Sequence, residues 1–276
     1  MKRQYIDLHV HTTASDGIFT PREVAENVKA AGLRAVAITD HDAIDGFMEV
    51  AEHLKDTGIE AISGVELSCY YNDADVHVLG YFIDHTNPEF AKKIQILRQD
   101  RYERGEEMVS KLNDIGIGLS METVKTIAGN SAVGRPHVAD ALLKEEFVQT
   151  YDEAFARYIG YHAPAYVSKK ILSPEHGIDL LHLTGGIAVL AHPGTLKHDE
   201  FIPELVEMGL DGIEAYHSQH SKPTVQKYKN IAKKHDIAYS GGSDCHGPRK
   251  GRVLLGSQNV PYTVLELLKK AKEKRL

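Results

Sequence analysis

An α/β fold, either a parallel barrel or a doubly wound sheet, is what the sequence predicts, and three observations predict it. Short apolar runs alternate with amphipathic helical stretches along most of the chain. One pair of runs lies too close together for a parallel crossover. One long stretch carries a helical pattern only. The chain has 276 residues, 42% of them hydrophobic and 26% charged. That suits one large domain, or a barrel with an insertion, rather than a disordered polymer.

The strand candidates are residues 5–10, 35–39, 61–68, 76–83, 187–191, 212–216 and 238–242. Helical patterns occupy 21–31, 46–57, 174–183, 201–208, 224–234 and 263–274. In the first of these, Thr20 reads as the N-cap, Pro21 takes the first helical position, Glu23 lies in the first turn and Gly32 follows the end. Only residues 69–75 separate the third and fourth strands. A parallel crossover needs roughly a dozen residues, so this pair is expected to be an antiparallel hairpin turning at Asn72-Asp73-Ala74-Asp75. That pairing brings Glu66 close to His77. Residues 86–164 read as helices only, at 88–115, 121–128, 136–145 and 151–158. The expected organisation is therefore a sheet-bearing domain from 1–85 and 165–276, with 86–164 as an inserted helical subdomain.

The net charge of −7 argues against a partner held by broad contact with a phosphate backbone, such as long duplex nucleic acid. The basic run 269–275 reads as the solvated face of a last helix. Cys69 and Cys245 form no CxxC motif, which makes a reducing cytoplasm the expected compartment. No apolar run approaches the ~18 residues that span a bilayer, so no membrane is expected. The N-terminal residues lack the apolar region of a signal peptide.

Chemistry-bearing residues gather where the strands end. The first strand gives His9-Val10-His11, followed by Asp16; the second gives Thr39-Asp40-His41-Asp42; the third gives Glu66. His77 opens the fourth, His192 follows the fifth, His217 follows the sixth, and Asp244-Cys245-His246 follow the seventh. Alternate residues of a strand point to one side, so His9 and His11 can grip one ion, and Asp244 and His246 repeat the spacing while Cys245 faces away. A lone His-x-His is weak evidence. Nine such groups at one barrel mouth, without metal, would leave many buried polar atoms unsatisfied. Imidazole and carboxylate ligands suit Zn, Mn, Fe or Co. Nine ligands exceed one ion's needs, so two or three divalent ions are expected. Three ions against three carboxylates leave roughly three positive charges, enough to clamp a phosphate despite the acidic surface. Ions roughly 3.5–4 Å apart can activate a hydroxide for in-line displacement.

These motifs resemble the PHP (polymerase and histidinol phosphatase) family: His9-x-His11, Asp16, Thr39-Asp40-His41, Glu66, His77, His192 and Asp244-x-His246 reproduce its nine-ligand pattern. The resemblance implies a distorted (β/α)7 TIM-like barrel that hydrolyses phosphoesters with three metal ions. It assigns one ion to His9, His11, Glu66 and Asp244, a second to Glu66, His77 and His192, and a third to Asp16, His41 and His246. The segment Gly134-Arg135-Pro136-His137 resembles that of the subfamily with a helical insert. Its members include nucleoside 3′,5′-bisphosphate phosphatases and a 5′→3′ exoribonuclease on short RNA. The expected substrate is thus a small phosphorylated molecule, a nucleotide or short RNA, and the expected ions are Mn, Fe or Zn.

Arg135 is the candidate phosphate clamp, since a guanidinium holds two phosphate oxygens at once. His217 is a candidate hydrogen-bond donor or general acid. His137, at a helix start, is either an anion contact or a cap. Asp40 is expected to orient a ligand. Three other readings compete. Histidinol-phosphate phosphatase would share the centre but not need the Arg135 insert. An amidohydrolase would carry a lysine, as bridging carbamate, where Glu66 stands. A metal-bound nucleotide-binding module would tolerate a missing ligand, and none is missing.

Overall fold

The computed structural model describes residues 4–169, 172–248 and 251–275. In chain order, the barrel begins with β1 (Tyr5–Val10), α1 (Pro21–Ala30), β2 (Ala35–Ile38), α2 (Asp45–Leu54), β3 (Glu60–Tyr71) and β4 (Ala74–Tyr81). Then come α3 (Pro88–Asp114), α4 (Met121–Ala128), α5 (Arg135–Lys144) and α6 (Tyr151–Ala154), the last continuing as a π-helical turn, Phe155–Ile159. The remainder is α7 (Pro174–Leu183), β5 (Ile187–Leu190), α8 (Pro193–Leu196), α9 (Phe201–Glu207), β6 (Gly212–Tyr216), α10 (Lys222–Lys234), β7 (Ala238–Gly241), β8 (Val260–Pro261) and α11 (Thr263–Arg275).

Local chemistry explains the boundaries. Thr20 and Glu23 form a reciprocal capping box at α1, with Pro21 in its first turn. Asn87, Ser173 and Ser221 cap α3, α7 and α10 through their side chains alone, each with a proline in the first turn of the helix. The hairpin between β3 and β4 is longer than the sequence suggested. Asn72 and Asp73 both adopt left-handed backbone, with φ of 46° and 62°, and a two-residue turn of that type matches the strand twist. Ala74 and Asp75, expected in the turn, are therefore already strand.

The strands form one sheet in the order β7-β6-β5-β4-β3-β2-β1-β8. β4 runs antiparallel to both β3 and β5, so it alone among β1–β7 points its C-terminal end away from the mouth. The two-residue β8, which the sequence pattern did not reveal, pairs antiparallel with β1. Closure brings β7 back to β1. His11 N donates to Cys245 O at 3.0 Å, and Val10 bridges Cys245. Gly242 makes this approach possible: a Cβ there would sit 2.3 Å from the His9 Cβ. The result is a nearly closed, TIM-like barrel.

The barrel interior and its helical jacket are packed with apolar side chains such as Leu8, Ala37, Leu79 and Val189 on one face and Val65, Val78, Leu190 and Ile213 on the other. Residues between β4 and β5 have an apolar cluster of their own, including Leu112, Val138, Leu142, Ala154 and Ile159. Polar contacts tie that cluster to the barrel. Arg101 of α3 donates to Asp42, Arg98 of α3 pairs with Asp45 of α2, and Ala132 N donates to Ala14 O.

Candidate metal centre

Glu66 organises the mouth of the barrel. It is fully buried. Its Oε2 lies 3.1 Å from His9 Nε2, 3.2 Å from His11 Nε2 and 3.2 Å from His41 Nδ1. Its Oε1 lies 2.8 Å from His77 Nδ1 and 3.0 Å from His192 Nε2. The hairpin register explains the His77 contact. Glu66 faces Leu79 and Ser68 faces His77, so Glu66 and His77 are diagonal neighbours on one face. Asp244 Oδ1 sits 3.4 Å from His9, 3.2 Å from His11 and 3.5 Å from His246. Asp16 reaches His246 at 3.2 Å, His11 at 3.8 Å and His41 at 3.9 Å. All nine residues singled out from the sequence meet in one place.

Their donor atoms form three overlapping sets, each with all atoms within 4.8 Å: His9, His11, Glu66 and Asp244; His11, Asp16, His41 and His246; and His41, Glu66 and His77. The division differs in two respects from that implied by the resemblance: His11 joins the set of Asp16, His41 and His246, and the set of Glu66 and His77 changes its third member. His41 stands with Glu66 and His77 where His192 was expected. His192 instead bonds Glu66 Oε1 through Nε2, while its Nδ1 faces the Thr195 hydroxyl at 3.0 Å. Five imidazoles in all approach the Glu66 carboxylate.

The donor set fits divalent ions. Both ring nitrogens of His11 and Nδ1 of His41 are buried without an aligned hydrogen bond, although carboxylate oxygens lie close by. Spacing too oblique for hydrogen bonds but tight enough for shared coordination is what an ion between the groups requires.

Electrostatics point the same way. Burial pushes the Glu66 carboxyl up, but His41, His9 and His77 outweigh it and hold it well below its usual range. Asp16 and Asp244 are likewise held down against burial, by His246 and His41 and by His9 and His246 respectively. Burial disfavours charge on His11, yet Asp244 and Glu66 raise it to about 10. Two of the nine residues also carry left-handed backbone, His192 with φ 29° and Asp244 with φ 54°. Such conformations cost about 1–3 kcal/mol each and persist where surroundings enforce them. The His192 N–H is fixed by Glu214 Oε2 at 2.8 Å.

Two residues beside the centre received no role from sequence reasoning, and Glu214, near the end of the sixth strand, is the first. It is fully buried, and its Oε1 also accepts from His9 Nδ1 at 3.0 Å, orienting that ring for a metal. Its place in the sixth strand was the only signal. Asp40 accepts from Thr12 N, Thr12 Oγ1 and Ser15 Oγ, so it braces the loop that carries Asp16. Cys245 is buried and turned away, with Gly247 N donating to its sulfur.

His217 lies inside the centre. Gln219 N donates to its Nδ1, which leaves Nε2 as the protonated nitrogen of the neutral ring, 3.3 Å from Asp244 Oδ2. Arg135 is not directly on a ligand. Its Nη2 donates to Asp75 Oδ2 at 3.1 Å, and its guanidinium covers the Tyr166 ring. His137 works as a cap of α5, with Nδ1 accepting from Gly134 N and Nε2 3.4 Å from Ser131 Oγ. The second residue passed over is Lys169. It is buried, and its Nζ sits 2.8 Å from His77 Nε2. It lies in irregular chain after the insert, where no spacing pattern marks it.

A groove of about 570 Å³ opens beside the centre. Asp16, Asp244 and His246 line it together with Tyr151 and Phe155 from the insert, Gln219 and Arg252. That volume accommodates a small organic ligand.

A barrel with this carboxylate–imidazole mouth is a metal-dependent phosphoester hydrolase. The family model described as PHP domain matches residues 7–169, and the chain belongs to that family. It is 33% identical over 255 residues to a 5′-3′ exoribonuclease of Haemophilus influenzae, with 90% of this chain and 92% of that protein covered. It is 32% identical over 252 residues to a 3′,5′-nucleoside bisphosphate phosphatase of Chromobacterium violaceum, covering 89% and 88%. A crystal structure described as a metal-dependent phosphoesterase from Bifidobacterium adolescentis superposes with a TM-score of 0.88 at 29% identity, covering 97% and 96%. No helix among the described residues is long and apolar enough to cross a membrane.

Proposed function

We propose that this protein removes the 3′-phosphate of a nucleoside 3′,5′-bisphosphate, giving a nucleoside 5′-monophosphate and inorganic phosphate. The observation that carries the reading is the groove, which joins the nine-residue centre to aromatic side chains of the insert. The similarity to a nucleoside bisphosphate phosphatase supports it. His9, His11, Asp16, His41, Glu66, His77, His192, Asp244 and His246 would hold two or three ions, with Mn, Fe or Zn suited to such donors. When bound, the ions supply Lewis-acid stabilisation of phosphoryl charge and a water acidic enough to attack.

The protein's own residues do the rest. Glu66 spans two of the three sets and fixes their spacing. Glu214 locks the His9 ring, and Asp40 braces the Asp16 loop. His217 Nε2, held against Asp244, is placed to donate to a phosphoryl or leaving oxygen. Phe155 and Tyr151 offer a stacking wall to the nucleoside. Residues 86–164 act in this reading as a subdomain that shapes the groove. Two free, buried cysteines suit a reducing cytoplasm.

A second reading, 5′→3′ exoribonuclease on short RNA, is favoured by the similarity to such an enzyme and differs only in how far the substrate extends along the groove. The test is product analysis with Mn²⁺ on adenosine 3′,5′-bisphosphate, a 5′-phosphorylated RNA oligomer and histidinol phosphate. Release of phosphate and AMP from the first, with little action on the third, supports the proposal. Turnover confined to RNA shifts it to the second reading. No turnover of any, with metal bound, overturns it.

A further inference from the structure

His192 and His217 stand on separate segments of the mouth, and one half-buried side chain joins the two. His192 immediately precedes α8, and its carbonyl accepts from Thr195 N in the first turn of that short helix. His217 opens the loop between β6 and α10. His220, in the same loop, lies between these segments. Its Nδ1 is 2.8 Å from Ala215 O, and its Nε2 is 3.1 Å from Gly194 N. Its backbone N donates to His217 O at 3.0 Å, and Gln219 N donates to His217 Nδ1.

The two ring contacts define the state of the ring. A carbonyl oxygen can only accept and a backbone N–H can only donate, so Nδ1 carries the hydrogen and Nε2 is bare. The Gly194 N–H is one of the donors that a helix start leaves without a partner in its own helix. A capping side chain ordinarily comes from the residue just before the helix. His192 holds that place but makes no such bond, because its ring is turned to Glu66. His220 supplies the acceptor instead.

Glycine at position 194 lets the ring in. A Cβ there would lie 2.6 Å from His220 Nε2. Gly194 is part of a helix, where alanine is the better residue, so the missing side chain serves the ring and not the backbone. His217 and Tyr228 flank the ring with centroids 5.1 and 5.2 Å away. Burial, with His217 and His192 nearby, lowers the His220 pKa against the pull of Ala215 O and Glu214, which favours the neutral ring.

We propose that His220 is a positioning residue: as the neutral Nδ1–H tautomer it ties the turn that presents His192 to the loop that presents His217. It acts through those two residues. The left-handed His192 backbone then rests on two anchors, Glu214 on its own N–H and His220 on the N–H two residues later. The effect on turnover rests on the role given to His217 above; the effect on metal does not.

Three variants of the full chain test this. His220→Phe keeps a ring between His217 and Tyr228 but offers Gly194 no acceptor. His220→Gln keeps an oxygen that can reach Gly194 N. Gly194→Ala leaves His220 in the chain and crowds its ring out. Mn²⁺ affinity, read by calorimetry, should fall about 10-fold or more in His220→Phe and Gly194→Ala, and return to within about threefold of wild type in His220→Gln. At saturating Mn²⁺, kcat for adenosine 3′,5′-bisphosphate should fall at least about 10-fold in His220→Phe, with KM within about threefold of wild type. In the Zn²⁺-loaded chain the ring-nitrogen NMR signals of His220, assigned by their loss in His220→Gln, should be those of an Nδ1–H ring. Wild-type Mn²⁺ affinity or wild-type kcat in His220→Phe, no recovery in His220→Gln, or an Nε2–H ring overturns the proposal. Should His220→Phe not fold, Gly194→Ala is read by the same measurements. If wild type does not turn over the nucleotide, the phosphatase reading falls, and Mn²⁺ affinity together with the ring tautomer still decides the positioning role.

Discussion

Glu214 shows how much of the centre depends on a residue that binds no metal in any of the three sets. One carboxylate oxygen holds the His9 ring and the other the His192 backbone. Glu214→Gln keeps the shape but weakens both bonds. Metal affinity should fall about 10–100-fold, read by competition with a chelator, with little change in fold. Protonation gives a second prediction. His11, raised to about 10, is charged at neutral pH in the metal-free chain, so loading must release protons. Titration in buffers of different ionisation enthalpy should show that release, and affinity should weaken as pH falls. The effects on stability of the metal-free chain have opposite signs. The depressed carboxylates Asp16, Glu66 and Asp244 stabilise above their ordinary values of 3.8 and 4.5, and that stabilisation is lost as pH falls through their folded values. His11 stabilises fully below 6.5, and its contribution is lost as pH rises toward about 10. Burial holds His41 well below its usual range and His77 down to about 4, so both cost stability as pH falls below 6.5, and metal-free melting temperature should be highest near pH 6.5. A melting curve that keeps improving up to pH 9 would contradict this.

At the scale of the element, the β3–β4 hairpin carries the centre's shared carboxylate and one of its histidines. Its register is set by a two-residue turn, so a single glycine inserted between Asn72 and Asp73 would displace the pairing by one and turn His77 to the opposite face. Such a variant should still fold but lose most bound metal, measured by elemental analysis. This hairpin was legible in the sequence because seven residues are too few for a crossover. Its exact ends were not, since a turn of Asn72-Asp73 needs only those two residues and Asp75 looks like turn chemistry while serving as strand. The gathering of the nine candidate ligands was legible because strand ends impose order and spacing. Glu214 and Lys169 were not, for a different reason. Each is defined by what it touches across more than 90 residues of chain, Glu214 on His9 and Lys169 on His77, and no local pattern encodes that. The two-residue β8 is likewise too short to show a period.

For the molecule as a whole, the contact between insert and barrel is electrostatic at its heart. Arg101 and Asp42 are both buried, and Arg101 also donates to Ser68 beside the centre. Removing one member of a buried pair leaves the other unpaired, which costs about 3–5 kcal/mol. Arg101→Met should lower thermal stability by several degrees, whereas Arg22→Met, on an exposed pair with Glu26, should leave it nearly unchanged. Equal losses for the two variants would show that the buried pair does not couple insert to barrel.

The reversed direction of β4 has a mechanical consequence. Because that strand ends at the floor of the barrel, the chain leaves for the insert from the side opposite the groove the insert must line. α3 makes up the distance. Its 27 residues span about 40 Å, and Arg101 lies roughly 20 Å along from Pro88, level with the mouth. The helix is thus a mast fixed at the keel, and the height of the cap over the metal centre is set by how many turns separate Pro88 from Arg101. Deleting a single turn there would lower the cap by about 5.4 Å without touching a residue of the centre, which makes the length of this helix an independent control on how large a substrate the groove admits.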